Sequence, residues 1–308
     1  MYEVFFEGCY TAAENCTLYR EDDTSAKDIQ DRVDEFILDL DKTPQVARVH
    51  GRNETGRDLI ISGGDVRYMF GSSAYSAVFS YTRVAAAMDK AMTKGDYSSL
   101  LPLFTSPEIE DKCKPADPSF PMAIEEQGLA IRCVDGDDVT NKTVDWWVDY
   151  MDDLLEQSDI FGQGMVAGRM ACAGWPVRSN WDYNGPFESP EADPEGVEGK
   201  PLAPIFFMSS RLDPITPLEA ARKMSKEHPG SKVMVLEGEG HCAVMTGPSK
   251  CRDNLLKEYM HTGELPDKWE TSCEMDCGGP WDECEFDLAG VSSMALVRGE
   301  LQLVLHDD

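Results

Sequence analysis

Two short apolar runs, residues 205–208 and 233–236, constrain the fold of this chain more than any other feature. Both carry β-branched or aromatic side chains and are bounded by turn residues, which is the pattern of buried strands. Between them Thr216, Pro217, Leu218 and Glu219 have the form of a capping box with proline at the first helical position. Leu218, Ala221 and Met224 then continue an apolar stripe until His228, Pro229 and Gly230 stop it. The unit reads strand, helix, strand. Such a crossover joins parallel strands, and a parallel sheet needs both faces covered, yet the sequence offers too few strands to complete one by itself. The expectation is an α/β fold with part of its sheet missing.

The residues before this unit follow a different grammar. In 28–40, Ile29, Val33, Phe36, Ile37 and Leu40 recur at three- and four-residue steps and predict an amphipathic helix. Val84, Ala87, Met88 and Met92 predict a second over 81–92, and Trp147, Tyr150, Met151 and Leu154 a third over 144–155. Residues 102–121 read as a proline-bearing connector. Residues 178–201, crowded with Pro, Gly, Asp and Glu and without periodicity, read as a surface linker. The division expected is a mainly helical region over 1–200, followed by an α/β segment over 201–308.

Two residues of that segment stand where chemistry is usually done. Asp213 follows the first strand in Leu212-Asp213-Pro214-Ile215-Thr216-Pro217, and His241 follows the second in Gly238-Glu239-Gly240-His241-Cys242. Loops after successive parallel strands leave the same sheet edge, so the aspartate can accept the Nδ1 proton of the histidine and leave Nε2 to act as a general base. Either residue alone has a plain reading, Asp213 as a turn former and His241 as a structural histidine. Together and in this order they match the acid and base of an α/β-hydrolase, in which the chain order is Ser, Asp, His. His50, His228, His261 and His306 lack comparable settings and read as surface or packing residues.

The motifs Leu212-Asp213-Pro214-Ile215-Thr216-Pro217 and Gly240-His241-Cys242 resemble the C-terminal signature of tripeptidyl-aminopeptidase-like α/β-hydrolases, a branch of the serine peptidases that includes prolyl aminopeptidases. The likeness continues upstream in Phe6-Glu7-Gly8-Cys9, Lys94-Gly95-Asp96, Ala130-Ile131-Arg132-Cys133-Val134-Asp135 and Cys172-Ala173-Gly174-Trp175-Pro176. The resemblance implies a large, mainly helical cap roofing a site that releases short peptides from a free N-terminus. Asp213 would orient, and His241 would serve as base and then acid. The chain departs from the family at one point: it contains no G-x-S-x-G nucleophile elbow. Ser249, in Gly247-Pro248-Ser249-Lys250-Cys251, follows His241 in the chain and reads as a helix cap rather than a nucleophile. The N-terminal half of an α/β-hydrolase sheet, which carries the elbow, is therefore expected upstream of Met1. A non-catalytic secreted glycoprotein that binds peptides or partners, and a capped esterase, are the alternative readings.

Composition narrows the setting. Lys and Arg number 28 against 57 Asp and Glu, a formal charge of −29 that repels phosphate backbones and anionic lipid surfaces, so neither nucleic acid nor membrane is an expected partner. Peptide is the expected substrate. The even number of cysteines, ten, points to disulfides and an oxidising compartment, with Cys273, Cys277 and Cys284 read as local staples rather than zinc ligands, because paired C-x-x-C hooks and nearby histidines are absent. Sequons at Asn15, Asn53 and Asn141 fit secretion, although the first residues have neither the basic nor the apolar part of a signal peptide. No metal or organic cofactor is implied, since the expected chemistry needs only side chains and water.

Overall fold

The computed structural model describes residues 1–49, 57–104, 124–158, 160–181, 183, 185 and 188–282. In chain order these form α1 (Tyr2–Ala12), α2 (Ala26–Lys42), the strands β1 (Gln45–Val49) and β2 (Arg57–Ile61), α3 (Gly63–Ser73), α4 (Ala77–Lys94), α5 (Leu101–Phe104), α6 (Ile124–Asp135), α7 (Val144–Gln157) and α8 (Gly162–Met170). Then follow β3 (Phe206–Leu212), α9 (Leu218–Glu227), β4 (Lys232–Glu239), α10 (Lys250–Thr262) and β5 (Glu270–Glu274).

The helical part is held by one large core. Ser25 and Asp28 cap α2 reciprocally, and its stripe of Ile29, Val33, Ile37 and Leu40 packs with Phe5, Phe6 and Cys9 of α1 and with Val84 and Met88 of α4. Phe5 stands edge-on to Phe70, Tyr81 and Trp281, the last of these arriving from beyond β5. That contact ties the C-terminal segment to the first helix. A disulfide joins Cys9 to Cys16, and a second joins Cys133 of α6 to Cys172 just after α8, beside the buried Trp147. The antiparallel hairpin of β1 and β2 was not expected from the sequence. Its strands are short, and exposed Val46 and Ile60 alternate with buried Ala47 and Ile61, so neither run is continuously apolar.

β3, β4 and β5 form a parallel sheet in that order, with Phe207 opposite Val233 and Leu236 opposite Cys273. β4 is its anchor. Val233, Met234, Val235 and Leu236 are fully buried, each contributing about 1.5–3 kcal/mol by leaving water. The side chains alternate between faces: Val233 and Val235 meet Leu218 and Ala221 of α9, and Met234 and Leu236 meet Leu255 of α10. Both faces of β4 are thus roofed, as a parallel sheet requires. Across the α9 face, Arg211 of β3 pairs through two bonds with Glu237 of β4, which accepts from Ser272 of β5, and Arg222 of α9 pairs through two with Glu270. These half-exposed pairs fix register more than they add stability.

The strands extend beyond the apolar runs that predict them, because Ser209 and Ser210 pair in the ladder as readily as Phe207 does, and Leu212 pairs again after a register shift at Arg211. The described residues of the expected linker, 178–201, contain neither helix nor strand; of the expected connector, 102–121, residues 102–104 lie in α5, and 105–121, with Cys113, fall outside the described residues, as do His50, Asn53, Cys284 and His306. Two local readings are corrected. The helix begins at Leu218 with Pro217 as its N-cap and no capping box, because the Thr216 hydroxyl is bonded to Asp213 instead. Cys273 is stapled not to its sequence neighbours but to Cys251 on α10, since it lies on the α10 face of β5.

The Cys133–Cys172 bridge closes a loop with a sequence separation of 39 residues, which in a chain-entropy account stabilises by about 2–4 kcal/mol. Replacing both cysteines by serine should lower the urea midpoint of unfolding accordingly. An unchanged midpoint would show that the helical part does not depend on this bridge.

Candidate active site

β3 ends at Leu212 and leaves Asp213 in a loop that closes on itself. Asp213 Oδ1 accepts the backbone N–H groups of Ile215 at 2.9 Å and Thr216 at 2.8 Å, and Oδ2 accepts the Thr216 hydroxyl at 3.0 Å. β4 ends at Glu239 and leaves Gly240 and His241 at the same edge. The Gly240 N–H donates to the Leu212 carbonyl, so the two loops are joined by backbone as they leave the sheet. Gly240 has φ of 138°, a conformation open to glycine, and a Cβ there would lie 3.1 Å from the Tyr75 carbonyl oxygen. That closeness is used: the His241 N–H donates to the same carbonyl at 2.9 Å, and the Tyr75 ring stands edge-on to the imidazole at 5.3 Å.

The two residues singled out in the sequence meet. His241 Nδ1 lies 3.0 Å from Asp213 Oδ1 and 3.2 Å from Oδ2, and the Cys242 N–H donates to Oδ2 at 3.1 Å. The Asp213 side chain is 1% exposed and that of His241 32% exposed, so a buried carboxylate holds an imidazole that opens to solvent. Burial alone would raise the Asp213 pKa. The amides of Thr216, Ile215 and Cys242, with His241, outweigh it and hold the carboxyl below its ordinary value. An ionised carboxylate only accepts, so Nδ1 carries the proton and Nε2 keeps a free lone pair. Among the described residues, every hydrogen bond of the imidazole runs through Nδ1. The loop beyond is pinned by buried Arg252, whose guanidinium donates to the carbonyls of Ala243 and Gly247.

The other candidates fall elsewhere. Ser249 is the N-cap of α10, accepting from the Arg252 N–H and donating to the Glu274 carbonyl. His228 is buried at the opposite edge of the sheet against Ser189, and exposed His261 bonds through Nδ1 to the Lys257 carbonyl one turn back on α10. Among the described residues no cluster of His, Cys, Asp and Glu could hold a metal ion. Sequence reasoning missed Tyr75, because a carbonyl acceptor leaves no mark in the residue type, and it placed Thr216 in the wrong role. It also passed over Glu239, whose only signal is an acid at the end of an apolar strand.

An α/β-hydrolase-like segment, with parallel strands delivering an acid and a histidine to one edge, is the class these observations define. Residues 158–273 match the family model described as TAP-like protein, a stretch that includes β3, Asp213, β4 and His241. Over 141 residues the chain is 28% identical to the serine protease Hip1 of Mycobacterium tuberculosis and of Mycobacterium bovis, a match covering 45% of this chain and 24% of the relative. The matched stretch thus spans about a quarter of the length of those curated relatives.

Glu239 gives a pH signature. Burial, with Glu7 adding to it and the amino terminus opposing it, pushes its pKa up to about 7 from an ordinary 4.5, and its Oε2 has no hydrogen-bond partner among the described residues. The folded state therefore holds this proton more tightly than the unfolded state. Its contribution is complete below the ordinary value and is lost as pH rises through about 7, by up to about 3 kcal/mol. Glu239→Gln should raise the melting temperature relative to the parent more at pH 8 than at pH 4.5. A difference that is the same at both pH values would contradict this.

Proposed function

We propose that this chain is the acid-and-base part of a secreted serine peptidase that releases short peptides from free N-termini. The observation that carries the proposal is the buried Asp213 carboxylate bonded to His241 Nδ1, with Nε2 free of any described partner. In the proposed reaction His241 Nε2 removes the proton of a serine hydroxyl as that oxygen attacks the peptide carbonyl. The imidazolium, stabilised by Asp213, then protonates the leaving amine, and a second cycle with water releases the acyl group.

The serine is the part this sequence lacks. Its sequence has no G-x-S-x-G, and we infer that a segment outside it adds strands to the sheet, a nucleophile elbow and the oxyanion donors. The open edges of β3 and β5 among the described residues support that reading. Residues 1–200 would then form the cap over the site and 201–308 the last part of the hydrolase sheet. The contacts of Tyr75 with His241 support a cap that reaches the catalytic edge. Disulfides and the relation to a serine protease support an extracellular peptidase and a peptide substrate. The missing elbow also favours one other reading, a secreted peptide-binding protein that has lost catalysis.

The chain made alone should take no label from a fluorophosphonate probe. A longer protein, encoded in frame with an upstream G-x-S-x-G, should be labelled at that serine and should cleave N-terminal tripeptide substrates in preference to simple esters. In that longer protein Asp213→Asn should lower kcat by about 10⁴ and His241→Ala by a comparable factor. Labelling of the isolated chain at one of its own serines would overturn the assignment. Full activity of the His241→Ala protein would do the same.

A further inference from the structure

We infer that Thr246 is a positioning residue for the candidate base, and this inference rests on the reading of Asp213 and His241 given above. Thr246 is completely buried, and its hydroxyl touches three groups: Ser210 Oγ at 2.7 Å, the Gly240 carbonyl at 3.2 Å and the Cys242 carbonyl at 3.2 Å. These two carbonyls belong to the residues on either side of His241. A hydroxyl has one proton and carbonyls only accept, so Thr246 must donate to this pair and accept from Ser210. The direction of the chain is fixed: Ser210 of β3 donates to Thr246, and Thr246 donates to the carbonyls of the two residues that flank His241.

That arrangement does two things. It commits the proton of Ser210, a fully buried serine near the C-terminal end of β3, to a structural bond, so Ser210 is not the missing nucleophile. It also holds Cys242 in its left-handed conformation, φ 69°, in which the Cys242 N–H points to Asp213 Oδ2. The imidazole and that amide then converge on one carboxylate. Without the hydroxyl, the Gly240 carbonyl loses this donor and the Cys242 carbonyl keeps only the N–H groups of Met245 and Thr246, which weakens the turn that keeps Cys242 in an uncommon backbone state. The Thr246 methyl group packs near Gly238 and Gly240 but makes none of these bonds.

The test uses the chain as it exists, labelled with ¹⁵N. Two signals are read: the low-field proton resonance of His241 Nδ1–H in its bond to Asp213, and hydrogen exchange of the Cys242 amide. In Thr246→Val the resonance should disappear and Cys242 exchange should rise about tenfold, while amides of β4 stay protected. Thr246→Ser, which keeps the hydroxyl, should retain both parent signals. A Thr246→Val protein with both signals intact, or a Thr246→Ser protein that loses them as the valine variant does, overturns the inference. If Thr246→Val does not fold, Ser210→Ala takes its place, with faster Cys242 exchange expected and unchanged exchange overturning the role. If the parent chain itself lacks the low-field resonance, the Asp213–His241 reading fails, and Cys242 exchange alone decides the role of Thr246.

Discussion

A buried carboxylate that is fully provided with donors organises the edge of this sheet. Asp213 receives the amides of Ile215, Thr216 and Cys242, the hydroxyl of Thr216 and Nδ1 of His241. Removing a charge from water is costly unless hydrogen bonds replace the lost hydration, and here they do. Because the donors come from both loops, the same bonds that satisfy the charge also lock the loop after β3 to the loop after β4. Folding and candidate chemistry therefore depend on one group. The arrangement that keeps Asp213 ionised is the arrangement that fixes the tautomer of His241.

The sheet beneath makes that convergence possible. β4 is buried on both faces and carries its loop to a place set by apolar packing rather than by the loop itself. Arg252 and Ser249 then pin the far end of that loop to α10, and Tyr75, from the helical part, holds the His241 amide from the other side. Glu239, one residue before Gly240, is the exception in this ordered surrounding. Its Oε2 is buried without a hydrogen-bond partner among the described residues, and its preference for the protonated form is what the fold gives up there.

Much of this was legible in the residues. The apolar runs of β3 and β4 and the acid and histidine that follow them depend on local pattern and chain order, which survive without coordinates. The helical stripe of α2 was equally plain, since Ile29, Val33, Ile37 and Leu40 repeat over several turns. What stayed hidden depends on tertiary context. Thr216 satisfies a helix-cap pattern as well as it satisfies a carboxylate, and only the position of Asp213 decides between them. The Cys251–Cys273 bridge follows from which face of β5 meets α10, and the Tyr75 carbonyl and the Thr246 hydroxyl act through backbone groups that residue types do not mark.

The TAP-like match, over residues 158–273, contains both members of the pair. The direct measurement is the ¹⁵N chemical shift of each ring nitrogen of His241 in the folded chain at a pH above the titration of free histidine. The account requires a neutral imidazole held in one form, protonated at Nδ1 and bare at Nε2. Shifts that place the proton on Nε2, or that average the two nitrogens as in free histidine, would contradict it.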